Sequence, residues 1–183
     1  SKGRYIARMD ADDIMLPNRL KVQYEFMEEH PDIDVCGTYA ELFGDQQGIV
    51  RKVPVTHSEV VNALIVNNYM VHPSVMIRKD TVFKDKKHRY KDGYPHAEDY
   101  KLWTDLVIEN YRFETIPQVL LMYRCSDTQV TRIFEEEMQR ATYKVQAEYA
   151  DYIMNEIVER DENKCDILNN LIDLFNDGNL NVR

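Results

Sequence analysis

The chain has 183 residues and a mass of 21.7 kDa, with 44% hydrophobic and 30% charged residues and a mean hydropathy of -0.54. That balance predicts one domain with an appendage and excludes a disordered or low-complexity scaffold. No apolar run approaches the roughly 18–20 residues of a membrane span, and a net charge of -9 argues against nucleic acid as a partner.

Tyr5 to Met9 is a short apolar run that stops at Asp10-Ala11-Asp12-Asp13, the pattern of a strand ending in an acidic loop. After Pro17, the apolar positions Leu20, Tyr24 and Met27 recur at helical spacing until His30-Pro31. Val35 to Phe43 reads as a strand, Gly44 to Gly48 as a turn and Ile49 to Val53 as its return. Thr56 and Glu59 make a capping box ahead of the apolar face Val60, Val61, Leu64 and Ile65. A second buried-type strand spans Ser74 to Arg78, and Lys84 to Lys91 reads as a mobile basic loop. Glu98-Asp99 opens a helix whose apolar side is Leu102, Trp103, Leu106 and Val107, with Trp103 as core. Short strands are expected on either side of Pro117. From Arg132 onward the stepping of Phe134, Met138, Ala141, Val145, Tyr149 and Tyr152, then Leu168, Leu171, Ile172 and Phe175, predicts a helical hairpin.

The charge is unevenly spread. Residues 132–183 hold 12 acids and 6 bases, net -6, while residues 1–131 hold 20 acids and 17 bases, net -3. The tail is thus an acidic helical segment, and its bland reading is docking on its own domain. Cys36, Cys125 and Cys165 are widely spaced and odd in number, which gives neither a zinc spacing nor a disulfide framework.

Three carboxylates in four residues repel unless something balances them. A divalent cation does so, because Mg²⁺ and Mn²⁺ take carboxylate oxygens and keep positions for water and phosphate. In an extended loop Asp10 and Asp12 point one way and Asp13 the other, where it could cap the next helix. The competing reading is a solvated turn. His96-Ala97-Glu98-Asp99-Tyr100 is the second concentrated site. One of its two acids could accept a proton from an incoming hydroxyl, and the competing reading is stabilisation of the helix dipole.

Tyr5-Ile6-Ala7-Arg8-Met9-Asp10-Ala11-Asp12-Asp13 is followed by Pro17-Asn18-Arg19-Leu20, His72-Pro73-Ser74, Glu98-Asp99-Tyr100 with Trp103, and Val119 to Arg124. This ordered set over residues 1 to about 131 resembles the family 2 glycosyltransferases of the GT-A fold, bacterial enzymes that build surface polysaccharides. The resemblance implies an α/β fold: an incomplete GT-A (nucleotide-diphospho-sugar transferase-like) mixed sheet flanked by helices over 1–131, with the helical hairpin at 132–183. It implies transfer of a sugar, with inversion, from a nucleotide-sugar donor to a carbohydrate or lipid-linked acceptor. Asp10 and Asp12 match the Asp-x-Asp motif that holds Mn or Mg and the donor, with Asp12 favoured as direct ligand and Arg8 in the donor-binding group. Asp99 matches the catalytic base, with Glu98 the second choice. His72 and Ser74 are placed on the acceptor side, His72 being as readily a packed histidine. Where relatives carry a histidine two residues after the Tyr-Arg pair, this chain has Ser126.

In that family several strands and helices holding the nucleotide base precede the acidic loop, whereas nine residues precede Asp10 here. The expectation is a fragment that lacks the first nucleotide-binding portion, binds donor weakly and does not turn over alone. An uncovered sheet edge predicts a homo-oligomer. The implied compartment is the cytoplasm, with the full-length protein peripheral at the inner membrane face as a second placement. The alternatives are a non-catalytic interaction module using the acidic tail, and a metal-dependent phosphohydrolase, which lacks a recognisable nucleophile.

Overall fold

The computed structural model describes residues 2–84, 88–126 and 134–160. The strands are β1 (Tyr5–Ala7), β2 (Ile14–Met15), β3 (Val35–Gly44), β4 (Val50–Arg51), β5 (Met76–Arg78) and β6 (Phe113–Cys125). The helices are α1 (Arg19–Glu29), α2 (His57–Val66), α3 (Lys79–Val82), α4 (Glu98–Ile108) and α5 (Glu135–Arg160), and a 3-10 turn covers His72–Ser74. No helix among the described residues is long and apolar enough to cross a membrane.

The sheet is mixed. Its order is β1-β5-β3-β6-β2, with β4 also paired to β3. Among the described strands only β3 and β6 run parallel; the other pairs are antiparallel. The expected mixed α/β sheet with helical cover is therefore the observed architecture. The buried positions of its central strands β3 and β6 carry the core. Met27 and Ile33 pack with Cys36, Met76 and Ile116, and Val53 and Val71 pack with Ala40 and Leu121. Trp103 is fully buried, edge-on to Phe113 with ring centroids 6.0 Å apart.

Three local expectations change. The two short strands around Pro117 are one strand, since the pairing with β3 shifts between Thr38 and Ala40 and leaves Pro117 and Gln118 exposed as an irregularity. A proline lacks the N–H that a regular ladder needs, and a bulge accommodates it. The helix after Pro17 buries Arg19, Gln23 and Met27, while Leu20 and Tyr24 are exposed. Polar side chains take the core positions because backbone carbonyls wait there for donors. The basic loop is pinned where it is described: Lys91 Nζ lies 2.6 Å from Asp105 Oδ2, and buried His88 lies 3.3 Å from Glu109 Oε2.

By its internal contacts the chain forms two compact units, Ser1–Gln146 and Ala147–Arg183. The first holds the whole sheet and the opening turns of α5, where Ala141 and Val145 are buried. The second is described only as the rest of α5. The second arm of the expected hairpin, Leu168 to Phe175, and Cys165 lie outside the described residues.

Candidate active site

A cleft of about 920 Å³ opens in the first unit. Its walls come from the end of β1 (Arg8, Asp10), the segment Asn68–Pro73, the segment Tyr90–Ala97, the start of α4 (Glu98, Asp99), and Met138 and Thr142 of α5.

The acidic loop begins where β1 leaves the sheet. The Arg8 N–H donates to the Val75 carbonyl at 3.0 Å, and the chain then turns out. Arg8 Nη1 pairs with Asp10 Oδ1 at 2.5 Å, and both residues line the cleft. Asp12 is exposed and outside the cleft lining, and its carbonyl accepts from Arg124 Nε at 2.9 Å. Residues 11–13 form a turn and bend rather than an extended loop, so alternation does not describe them, and Asp13 does not cap α1. Its Oδ1 accepts the Arg124 N–H at 2.9 Å, and the residue at the α1 cap is Asn18, which makes no side-chain capping bond. Asp13 is buried, its Oδ2 has no hydrogen-bond partner, and burial pushes its carboxyl up to about 6. The β6 end thus clamps the acidic loop through Arg124.

No group of three His, Cys, Asp or Glu among the described residues is placed to hold a metal. Mg²⁺ or Mn²⁺ of the kind bound by one or two carboxylates together with substrate phosphates needs no such group; of the two carboxylates expected to serve it, Asp10 lines the cleft and Asp12 lies outside the lining. They do not fit an all-protein cage.

Across the cleft, Asp99 sits in the first turn of α4 with both oxygens engaged. Oδ1 accepts the Tyr100 N–H at 2.8 Å, and Oδ2 accepts from Asn68 Nδ2 at 2.8 Å. His72 Nδ1 lies 3.6 Å from Asp99 Oδ2, and its Nε2 is 2.8 Å from the Tyr90 hydroxyl. The imidazole stands edge-on to Trp103 at 5.8 Å. Burial there lowers its pKa, with the Asp99 charge opposing, so the ring is held toward its neutral form. Glu98 also lines the cleft. The structure therefore brings Arg8, Asp10, His72, Glu98 and Asp99 together.

Ser74 is a correction. It is fully buried and absent from the cleft lining; its hydroxyl donates to the Thr38 carbonyl at 3.3 Å and accepts the Thr38 N–H at 3.1 Å. The 3-10 turn rotates Ser74 inward, so adjacency to His72 in sequence does not carry it to the acceptor side.

Sequence reasoning missed Asn68, Tyr90 and His96. Asn68 follows a capped helix as one of two polar residues and carries no spacing signal. Tyr90 lies in a run read as a solvated basic loop. His96 has a positive φ of 60°, uncommon outside glycine, and stacks on Phe134 with centroids 4.7 Å apart. Only its position ahead of Glu98-Asp99 hinted at a role.

The sequence model described as "Glycosyl transferase family 2" matches residues 1–108. The chain belongs to glycosyltransferase family 2. The O-antigen biosynthesis glycosyltransferase WbnJ of Escherichia coli is 33% identical over 126 residues, covering 67% of this chain and 48% of WbnJ. The amylovoran biosynthesis glycosyltransferase AmsE of Erwinia amylovora is 30% identical over 129 residues, covering 69% of this chain and 47% of AmsE. The chain spans about half the length of the curated relatives it matches. Among solved structures, S. aureus TarS 1–349 in complex with UDP-GlcNAc superposes with a TM-score of 0.57 at 16% identity, covering 83% of this chain and 49% of TarS 1–349. This likeness shows the GT-A fold. In the family 2 chain, the matched residues carry the acidic loop, the His72 turn and the start of α4.

Proposed function

We propose that the protein carrying this chain transfers a glycosyl group from a nucleoside-diphosphate sugar to a hydroxyl of a carbohydrate or lipid-linked acceptor, with inversion, in surface polysaccharide assembly. The activity is proposed for the whole protein rather than for these 183 residues alone. The observation that carries the reading is the Asp99 carboxylate, aimed by Asn68 and the Tyr100 N–H into the cleft that Asp10 also lines. The family supports the transfer, and the O-antigen and amylovoran biosynthesis roles of WbnJ and AmsE support a polysaccharide acceptor. The reading calls for the cytoplasm, where nucleotide sugars are made, and for a peripheral position at the membrane if the acceptor is lipid-linked.

In the proposed step Asp99 takes the proton of the acceptor hydroxyl as that oxygen attacks the anomeric carbon. The bond from that carbon to the diphosphate oxygen breaks on the opposite face, and the diphosphate leaves with the electron pair. A single base suits this in-line displacement. Asp12 and Asp10 would hold Mn²⁺ or Mg²⁺ jointly with the diphosphate, and the bound ion would supply Lewis-acid neutralisation of the leaving group. Arg8, now paired with Asp10, stands on the donor side. His72 and Tyr90 form the wall beside the base and orient the acceptor.

Asp99→Asn tests the assignment. It keeps the shape and removes the proton acceptor, so acceptor-dependent release of nucleoside diphosphate should fall about 10²–10⁴-fold with donor binding kept. Unchanged transfer would remove Asp99 from the role, and full loss in Glu98→Gln alone would move the role to its neighbour.

A further inference from the structure

Helix α1 turns a polar stripe inward. Arg19 is 1% exposed and Gln23 0%, one helical turn apart on the face that meets the sheet. Arg19 Nε donates to Gln23 Oε1 at 2.9 Å, and its Nη2 donates to the Arg8 carbonyl at 2.8 Å and the Val75 carbonyl at 3.4 Å. Gln23 Nε2 donates to the Cys36 carbonyl at 3.1 Å and the Ser74 carbonyl at 2.9 Å. These carbonyls belong to different segments. Arg8 ends β1 two residues before Asp10, Cys36 lies in β3, and Ser74 and Val75 close the turn that begins at His72.

The Arg19 guanidinium donates to a side-chain amide oxygen and two backbone carbonyls, and burial pushes its pKa down to about 10 against the opposing charge of Asp13. Enclosing a charge is costly even with a carboxylate nearby, and an apolar residue would pack α1 onto the sheet without that cost. A planar fork of donors offers something an apolar side chain cannot: its Nε holds Gln23 while its Nη2 meets carbonyls of two chain segments. We infer that Arg19 and Gln23 are positioning residues, a buried rivet that holds the start of the acidic loop and the end of the His72 turn in fixed register beside the cleft. Its consequence for turnover rests on the transfer reading proposed above; its structural part does not.

The test uses Arg19→Lys and Gln23→Leu in the whole protein that carries this chain. Lysine keeps the charge but loses the fork, and the leucine variant removes the bonds to Cys36 and Ser74 and the acceptor of Arg19 Nε while leaving the Arg19 Nη2 bonds to the Arg8 and Val75 carbonyls. Hydrogen exchange is read at the Arg8 N–H, which bonds the Val75 carbonyl, and at the Ser74 N–H, which bonds the Val71 carbonyl at 2.7 Å. In Arg19→Lys both amides should exchange about tenfold faster or more while amides of α4 and β6 keep their rates. In Gln23→Leu the Ser74 amide should respond and the Arg8 amide should not. With Mn²⁺ and a panel of UDP-, GDP- and dTDP-sugars, kcat of folded Arg19→Lys should fall about ten- to hundredfold, as expected for misplaced reacting groups. Uniform or unchanged exchange, or a folded Arg19→Lys with wild-type kcat and KM, would overturn the inference. If the wild-type protein turns over no sugar in the panel but exchange loosens selectively, the transfer reading fails and the rivet stands. If Arg19→Lys does not fold, the Gln23→Leu exchange pattern decides.

Discussion

His57 begins α2 with its ring against the sheet, where Nδ1 accepts the Phe113 N–H at 3.2 Å. Burial, helped by the nearby Arg112 charge, lowers its pKa from the usual 6.5. A protonated ring could not accept that N–H. The unfolded chain therefore binds the proton more readily, and the stability this residue contributes is present above the ordinary histidine range and lost as pH falls through it. The urea midpoint should drop between about pH 7.5 and about pH 5.5, and His57→Gln should flatten that drop; identical slopes would contradict the assignment. At this scale the sequence exposed what lies in one short stretch. Asp10, Glu98 and Asp99 stand at strand and helix ends with their chemistry concentrated, and the structure lines one cleft with them. Asn68 and Tyr90 come to Asp99 and His72 from loops, and nothing in local spacing marks them. Ser74 was misplaced because a 3-10 turn, which alternation does not describe, rotates it into the core.

The start of α2 shows local sequence deciding an element. Thr56 Oγ1 accepts the Glu59 N–H at 3.3 Å, and Glu59 Oε2 accepts the N–H groups of Thr56 at 3.0 Å and Val55 at 2.9 Å. Both halves of the expected capping box are present. Thr56→Ala should cost about 1 kcal/mol of folding stability in a denaturant titration, and a change within error would show the cap to be redundant. Helix α1 is the contrary case. Its apolar periodicity pointed to Leu20 and Tyr24, but the inward face is Arg19, Gln23 and Met27. Apolar periodicity finds a greasy core and overlooks a face whose partners are backbone carbonyls. The parallel pairing of β3 with β6 was equally hidden, because it joins strands far apart in sequence and depends on the irregularity at Pro117 and Gln118.

For the whole molecule, the order of the motifs carried more than any one of them. The mixed sheet places the acidic loop at the end of β1 and the α4 carboxylates on the facing wall of one cleft, and the family match over residues 1–108 covers both. Among the described strands β1 and β2 are the two edges of the main sheet path, three and two residues long. Edge strands recruit further strands, and a short one does so weakly. Light scattering of the 183-residue chain should therefore show self-association that rises with concentration, and a monomer throughout would remove the edge as a pairing surface. The proposed reaction is tested most directly by the anomeric configuration of the product made by the whole protein from a nucleotide sugar of known configuration, read by NMR. Inversion requires a linkage of opposite configuration to the donor; a product that retains the donor's configuration would contradict it.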